Sequence, residues 1–262
     1  MTMTDFLHRC ELMEDLPFSE TNHFGARARI GLIVLSSDWT IEGEFREVLA
    51  RLGPEVGLYT ARIANDTQIS PESLAAMGPR LTGTADTLLP EGTLDVIGYG
   101  CTSASMVLGE DVVVDAIRAV KPNVEVTTPI TAAFRAFGAL GLRRIAVLTP
   151  YARSVNEVVL RYIENRGFEL PVFGSFNEPN DRIVGRIDAE SLRKAVSQML
   201  ADHDVDGVFV SCTSLRVMNL IDELERDLGL PITSSNHALI WDCLRRAKID
   251  DQFDDLGKLY TA

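Results

Sequence analysis

Apolar residues along this chain gather in short unbroken runs, separated by stretches with helical spacing. "RIGLIVLSS" (29–37) is a continuous apolar run ending in small polar residues, the pattern of a parallel strand buried on both faces. "EVGLYTARI" (55–63), "LDVIGYG" (94–100), "VEVTTPI" (124–130), "PVFGSF" (171–176) and "VDGVFVS" (205–211) read as further strands. Between them, "TIEGEFREVLARLG" (40–53) places Ile41, Phe45, Val48, Leu49 and Leu52 on one helical face and stops at Gly53. Ser70 and Pro71 read as the cap and first residue of another helix. Helices are also expected over 103–120, 131–140, 189–200 and 217–228.

The pattern then repeats. "RRIAVLTPYARSVNEVVLRYIENRG" (143–167) restates the opening: Arg-Ile, an apolar strand, a polar turn, a helix and a glycine. "LPITSSNHALIWDCLRRA" (230–247) restates "VTTPITAAFRAFGALG" (126–141). Alternating strands and helices predict the α/β class, with parallel sheets covered on both faces. The repetition predicts two similar flavodoxin-like halves related by a pseudo-two-fold axis, with the active site in the cleft between them. The expected divisions are an N-terminal arm at 1–27, a first half at 28–142 with some chain exchange at its end, and a second half at 143–262.

Composition narrows the function. The chain has 262 residues and a formal net charge of −13, with no basic stretch. That removes the electrostatic footprint of nucleic-acid binding. No apolar run approaches the length that spans a bilayer. The first twenty residues are mixed and acidic, unlike a signal peptide. Four scattered cysteines (Cys10, Cys101, Cys212, Cys243) do not make a disulfide framework, so a cytoplasmic protein with free thiols is expected. No metal-ligand spacing is present.

Two of those cysteines stand in matching frames: "LDVIGYGCTS" (94–103) and "VDGVFVSCTS" (205–214). Ligands of parallel α/β sheets bind beyond the carboxyl ends of the strands, where both Cys-Thr-Ser segments fall. Each opens a helix or turn, so backbone N–H groups are expected to lower the thiol pKa toward neutrality. Thr102, Ser103, Thr213 and Ser214 would supply donors to a carboxylate. Across a cleft, Cys101 and Cys212 would flank one ligand. One thiolate could remove a proton and the other thiol return one to the opposite face, or one could add reversibly to a double bond. Neither route needs a cofactor. Cys10 and Cys243 lack this setting and read as structural or incidental.

With these motifs, the sequence resembles the aspartate/glutamate racemase superfamily. "RIGLIVLSSD", "RRIAVLTPYARSVNEVVLRYIE" and "LPITSSNHALIWD" resemble the branch holding maleate cis–trans isomerase, arylmalonate decarboxylase and the ectoine-utilisation protein EutA, with "SSNHALIW" pointing to the EutA-like group. The resemblance implies catalytic roles for Cys101 and Cys212. It implies a carboxylate-binding shell of Thr102, Ser103, Thr213 and Tyr151. Decarboxylases of the branch carry glycine at the first cysteine position, so Cys101 argues against plain decarboxylation.

Two departures bear on substrate. Maleate isomerase has Ser-Ser-Asn where this chain has Ser36-Ser37-Asp38, and its second asparagine aligns with Asp181. An amide can donate to a carboxylate, whereas an ionised aspartate only accepts. Two aspartates therefore favour an amino or amide group over a second carboxylate, unless they are simply solvated loop residues. His237, after "SSN", could orient or protonate a ligand or make a structural hydrogen bond. Trp39 and Trp241 read as packing residues. The sequence thus predicts a cofactor-independent isomerase or racemase of a small, amino-acid-like or N-substituted carboxylate, acting as a homo-oligomer. The alternatives are a decarboxylase of a disubstituted malonate with Cys212 as proton donor, and a non-catalytic ligand-binding or thiol-sensor protein.

Overall fold

The computed structural model describes residues 12–21 and 24–262. Cys10 and about half of the expected arm lie outside them, and residues 12–21 are exposed and without regular structure. From there the chain forms β1 (Ala28–Leu35), α1 (Ile41–Leu49), β2 (Val56–Ile63), α2 (Pro71–Ala75), α3 (Leu81–Asp86), β3 (Val96–Gly100), α4 (Thr102–Leu108), α5 (Glu110–Arg118), β4 (Glu125–Thr127) and α6 (Pro129–Ala139). The second series is β5 (Ile145–Thr149), α7 (Arg153–Glu164), β6 (Phe173–Ser175), α8 (Asp181–Val184), α9 (Ala189–Leu200), β7 (Gly207–Val210), α10 (Ile221–Leu228), β8 (Ile232–Ser234) and α11 (Ser235–Arg246).

Two four-stranded sheets result, ordered β2-β1-β3-β4 and β6-β5-β7-β8, and every pairing within them is parallel. The first strand of each series is central, and its neighbours are the second and third. β1, β3, β5 and β7 are almost wholly buried, which is why their sequences are apolar without alternation.

The end of each series packs on the other. Phe137 of α6 meets Phe209 of β7 edge-on, with ring centroids 5.3 Å apart. In return, α11 lies against β3, β4, α1 and α6. Buried Asp242 of α11 accepts from Thr127 (2.5 Å) and pairs with Arg135 and Arg246. Removing either terminal helix would expose the other half's core.

Several predicted boundaries move for local reasons. The helix expected over 103–120 is two helices, because Gly109 at φ +91° breaks it. The strand expected to run through Pro129 ends at Thr127. Thr128 then caps α6, its hydroxyl accepting from the Thr131 N–H at 3.2 Å, with Pro129 as the first helical residue. The helix expected over 217–228 begins with a 3-10 turn at Met218–Leu220. The segment after 247 forms only a 3-10 turn at Lys258–Thr261, yet Leu256, Leu259 and Tyr260 are buried.

Candidate active site

β3 and β7 each lead into a cysteine, Cys101 and Cys212. Cys101 precedes α4 as its N-cap, and Cys212 opens the turn that follows β7. The two share a cavity of about 20 Å³ with Thr102, Ser103, Tyr151, Asp181, Thr213 and Ser214. Leu35, Ile69, Leu74 and Met77 form its apolar wall, and Asn65, Asp66 and Ser73 its remaining polar edge. The cavity has room for about one water molecule. The loops over it are clasped: Gln68 bridges Asn180, the Ile69 N–H donates to the Pro179 carbonyl (2.8 Å), and the Asp181 N–H donates to Thr67 (2.9 Å). A larger ligand enters only if these loops part.

Each cysteine is met by its own turn. The Cys101 sulfur has the Ala104 N–H and the Ser103 hydroxyl nearby, the latter at 3.9 Å. Cys212 faces the Ser214 N–H and the Tyr151 hydroxyl, which also faces Ser103. Thr102 donates to Ser235 (2.7 Å), fixing the first turn against α11. The thiols nevertheless depart from expectation. Burial pushes Cys101 up to about 12 and pushes Cys212 up as well. The negative charges of Asp181 and Asp38 add to the rise, against the N–H donors that oppose it. The short α4 and its N–H groups do not outweigh a site with little water and no cation among the described residues lining it.

Both aspartates are buried rather than solvated. Asp181, the first residue of α8, accepts from Ser37 of the first half and from Ser214 of the second, the latter at 2.8 Å. Asn65 holds Ser37 in turn, donating to its hydroxyl at 2.8 Å. Asp38 lies behind Thr213. Its Oδ1 accepts from the N–H groups of Thr40 (2.7 Å) and Ile41 (2.9 Å) at the start of α1. Its Oδ2 is buried without a hydrogen-bond partner. The Thr213 hydroxyl beside it points instead at the Gly100 carbonyl, at a weak 3.4 Å. A turn of that hydroxyl would satisfy the carboxylate. Burial pushes Asp38 up to about 6.

His237 is not in the cavity. Its Nε2 donates to the Leu256 carbonyl (2.7 Å), so its Nδ1 accepts from the Thr233 hydroxyl (2.9 Å). The ring ties α11 to the C-terminal segment, and burial lowers its pKa to about 4. Trp39 is also misread by sequence: it is 61% exposed, with the Arg186 guanidinium over its ring. Trp241 packs as expected. Cys243 is buried against Gly98, away from the cavity. Asn65 and Ile69 escaped the sequence reading because the loop after β2 carries no motif, and Leu35, Leu74 and Met77 because an apolar wall position looks like any core position.

The neutral His237 ring has a consequence for stability. The unfolded residue binds a proton near pH 6.5 and the folded one only near 4, so its contribution is complete above 6.5 and is lost as pH falls toward 4. Asp38, raised to about 6, acts in the opposite sense, with its contribution lost as pH rises. Comparing urea melts of the parent and His237→Gln at neutral pH and near pH 5 isolates the histidine. The parent should lose more stability on acidification than the variant, and equal losses would show that His237 is not the acid-sensitive group.

The comparisons with known proteins follow the same geometry. The chain matches the arylmalonate decarboxylase family (Amdase) over residues 30–260. It is 29% identical to maleate isomerase from Nocardia farcinica over 240 residues, covering 88% of this chain and 94% of that one. It is 34% identical to arylmalonate decarboxylase from Bordetella bronchiseptica over a shorter stretch, 46% of this chain and 51% of the other. A mutant of the Nocardia farcinica maleate cis–trans isomerase, solved with a covalently bound succinylcysteine intermediate, superposes with a TM-score of 0.81 at 28% identity, covering 89% of this chain and 98% of that one. The chain is therefore an enzyme of the arylmalonate decarboxylase family, in the branch of the aspartate/glutamate racemase superfamily that also holds the maleate isomerases.

Proposed function

We propose that this enzyme isomerises or racemises a small carboxylate bearing a nitrogen substituent, with Cys101 and Cys212 acting on opposite faces of the same ligand. The observation that carries the reading is the shared cavity, in which each half contributes one sulfur at a strand's carboxyl end. Thr102, Ser103, Thr213, Ser214 and Tyr151 surround the sulfurs and would receive the carboxylate. The succinylcysteine intermediate of the Nocardia relative supports cysteine as a nucleophile on this scaffold.

The buried acids support the nitrogen. A dicarboxylate would bring a further negative charge beside Asp181 and push the thiols higher still. A ligand ammonium near Asp181 and Asp38 would cancel the charges that oppose thiolate formation. Once that charge is balanced, one cysteine gives its proton to solvent while the loops are parted for the ligand, and the Ala104 and Ser214 N–H groups can stabilise the thiolate left behind. One sulfur then takes the α-proton while the other, still a thiol, donates its own. The cysteines exchange protonation states, and the reverse reaction restores them.

Decarboxylation is the second reading, favoured by the family match. In it Cys212 alone protonates the carbanion left by carbon dioxide loss. Cys101 has no part in that step.

Separate Cys101→Ser and Cys212→Ser replacements should each lower conversion by about 10²–10⁴-fold, the range for loss of a positioned acid or base. Full activity in both variants would remove the two-cysteine reading. Carbon dioxide release surviving the loss of Cys101 would select decarboxylation. In heavy water, proton abstraction should place deuterium at the α-carbon of recovered substrate, whereas thiol addition and departure need not. Replacing Asp38 and Asp181 together by asparagine should shift preference from N-bearing acids toward maleate. An unchanged preference would detach the aspartates from substrate choice.

A further inference from the structure

Outside the cavity lining, a carboxylate from the first half is buried against the second. Glu44 of α1 points its Oε1 at the N–H groups of Val217 and Met218, both at 3.2 Å. Its Oε2 accepts from the Asn236 side chain of α11 at 2.7 Å. The same Asn236 amide nitrogen donates to the Thr213 carbonyl at 2.8 Å. One turn earlier on α1's approach, the Thr40 hydroxyl donates to the Ser214 carbonyl at 2.9 Å. The turn carrying Cys212 is therefore held at residues 213, 214, 217 and 218, by Glu44 and Thr40 from the other half and by Asn236 from its own. Neither Glu44 nor Asn236 lines the cavity.

We propose that Glu44, acting through Asn236 and the 217–218 backbone, is a positioning residue that sets the placement of Cys212 without touching the ligand. A buried carboxylate is expensive to keep. Here its hydrogen bonds reach one turn, directly at Val217 and Met218 and through Asn236 at Thr213, and that turn follows the sulfur. Burial pushes Glu44 up to about 7, with Asp38 the acid nearest in effect and Tyr260 also facing it. The device is asymmetric: the turn after Cys101 has Thr102 bonded to Ser235 but no buried carboxylate behind it among the described residues. Releasing Glu44 should therefore disturb one cysteine and spare the other.

Thiol alkylation by iodoacetamide, read cysteine by cysteine through peptide mass spectrometry, tests this without a substrate. It is thus independent of which reaction the enzyme performs. Glu44→Gln is nearly isosteric and keeps an oxygen for Val217 and Met218. It places an amide against the Asn236 amide, so the tie to Thr213 is lost. Asn236→Ala loses that tie alone, and Glu44→Ala loses the bonds to Val217 and Met218 together with the acceptor that orients Asn236. The loosened turn should admit water and raise Cys212 alkylation by at least about fivefold in Glu44→Gln and further in Glu44→Ala, with Cys101 within about twofold of the parent. Cys243, fully buried elsewhere, reports general opening. A parallel rise of Cys101, Cys212 and Cys243 would reduce Glu44 to a stabiliser of the fold. Unchanged Cys212 reactivity in a folded Glu44→Gln or Asn236→Ala protein would overturn the proposal outright. If Glu44→Ala does not fold, Glu44→Gln and Asn236→Ala decide.

Discussion

The constraint on which this site depends is the enclosure of several acidic groups in one nearly dry space. Two thiols, Asp181 and Asp38 share the cavity or its immediate wall, and no described lining residue is basic. In a low-dielectric interior such groups cannot all carry charge together. The resting arrangement answers with protons on both sulfurs and a raised Asp38. Asp181 is served by two hydroxyls, one from each half. Activation then belongs to the ligand, which must bring positive charge or hydrogen-bond donors with it. Specificity and thiol activation become one property.

The architecture serves this constraint. Parallel strands bring the carboxyl ends of β3 and β7 together, and the exchanged helices α6 and α11 lock the halves so that the sulfurs keep their separation. Residues that shape one half's site come from the other: Ser37 reaches Asp181, Thr40 reaches Ser214, and Thr102 reaches Ser235. The cleft is a jointly built surface, and neither half contains a complete site.

Much of this was legible in the chain. Buried parallel strands lack alternation, so β1, β3, β5 and β7 announced themselves, and the doubled Cys-Thr-Ser frame marked the site. What escaped has physical reasons. The sequence suggested that N–H groups at Cys101 and Cys212 would lower their pKa, but local donors are visible in sequence and desolvation is not. Asp38 and Asp181 read equally well as solvated, because burial by a partner loop leaves no local trace. His237 sat at a promising strand end, yet the C-terminal segment that claims its Nε2 has no periodicity. Glu44 occupies a polar position of an amphipathic helix, and nothing local marks it, since its partners lie far along the chain.

The central claim is that both cysteines rest as thiols and are not pre-formed thiolates. Ultraviolet thiolate absorbance, titrated in the ligand-free enzyme and compared with Cys101→Ser and Cys212→Ser, measures this directly. The account predicts no thiolate signal from either residue at neutral or mildly alkaline pH. A thiolate already present at neutral pH, and abolished by replacing one of the two, would contradict it.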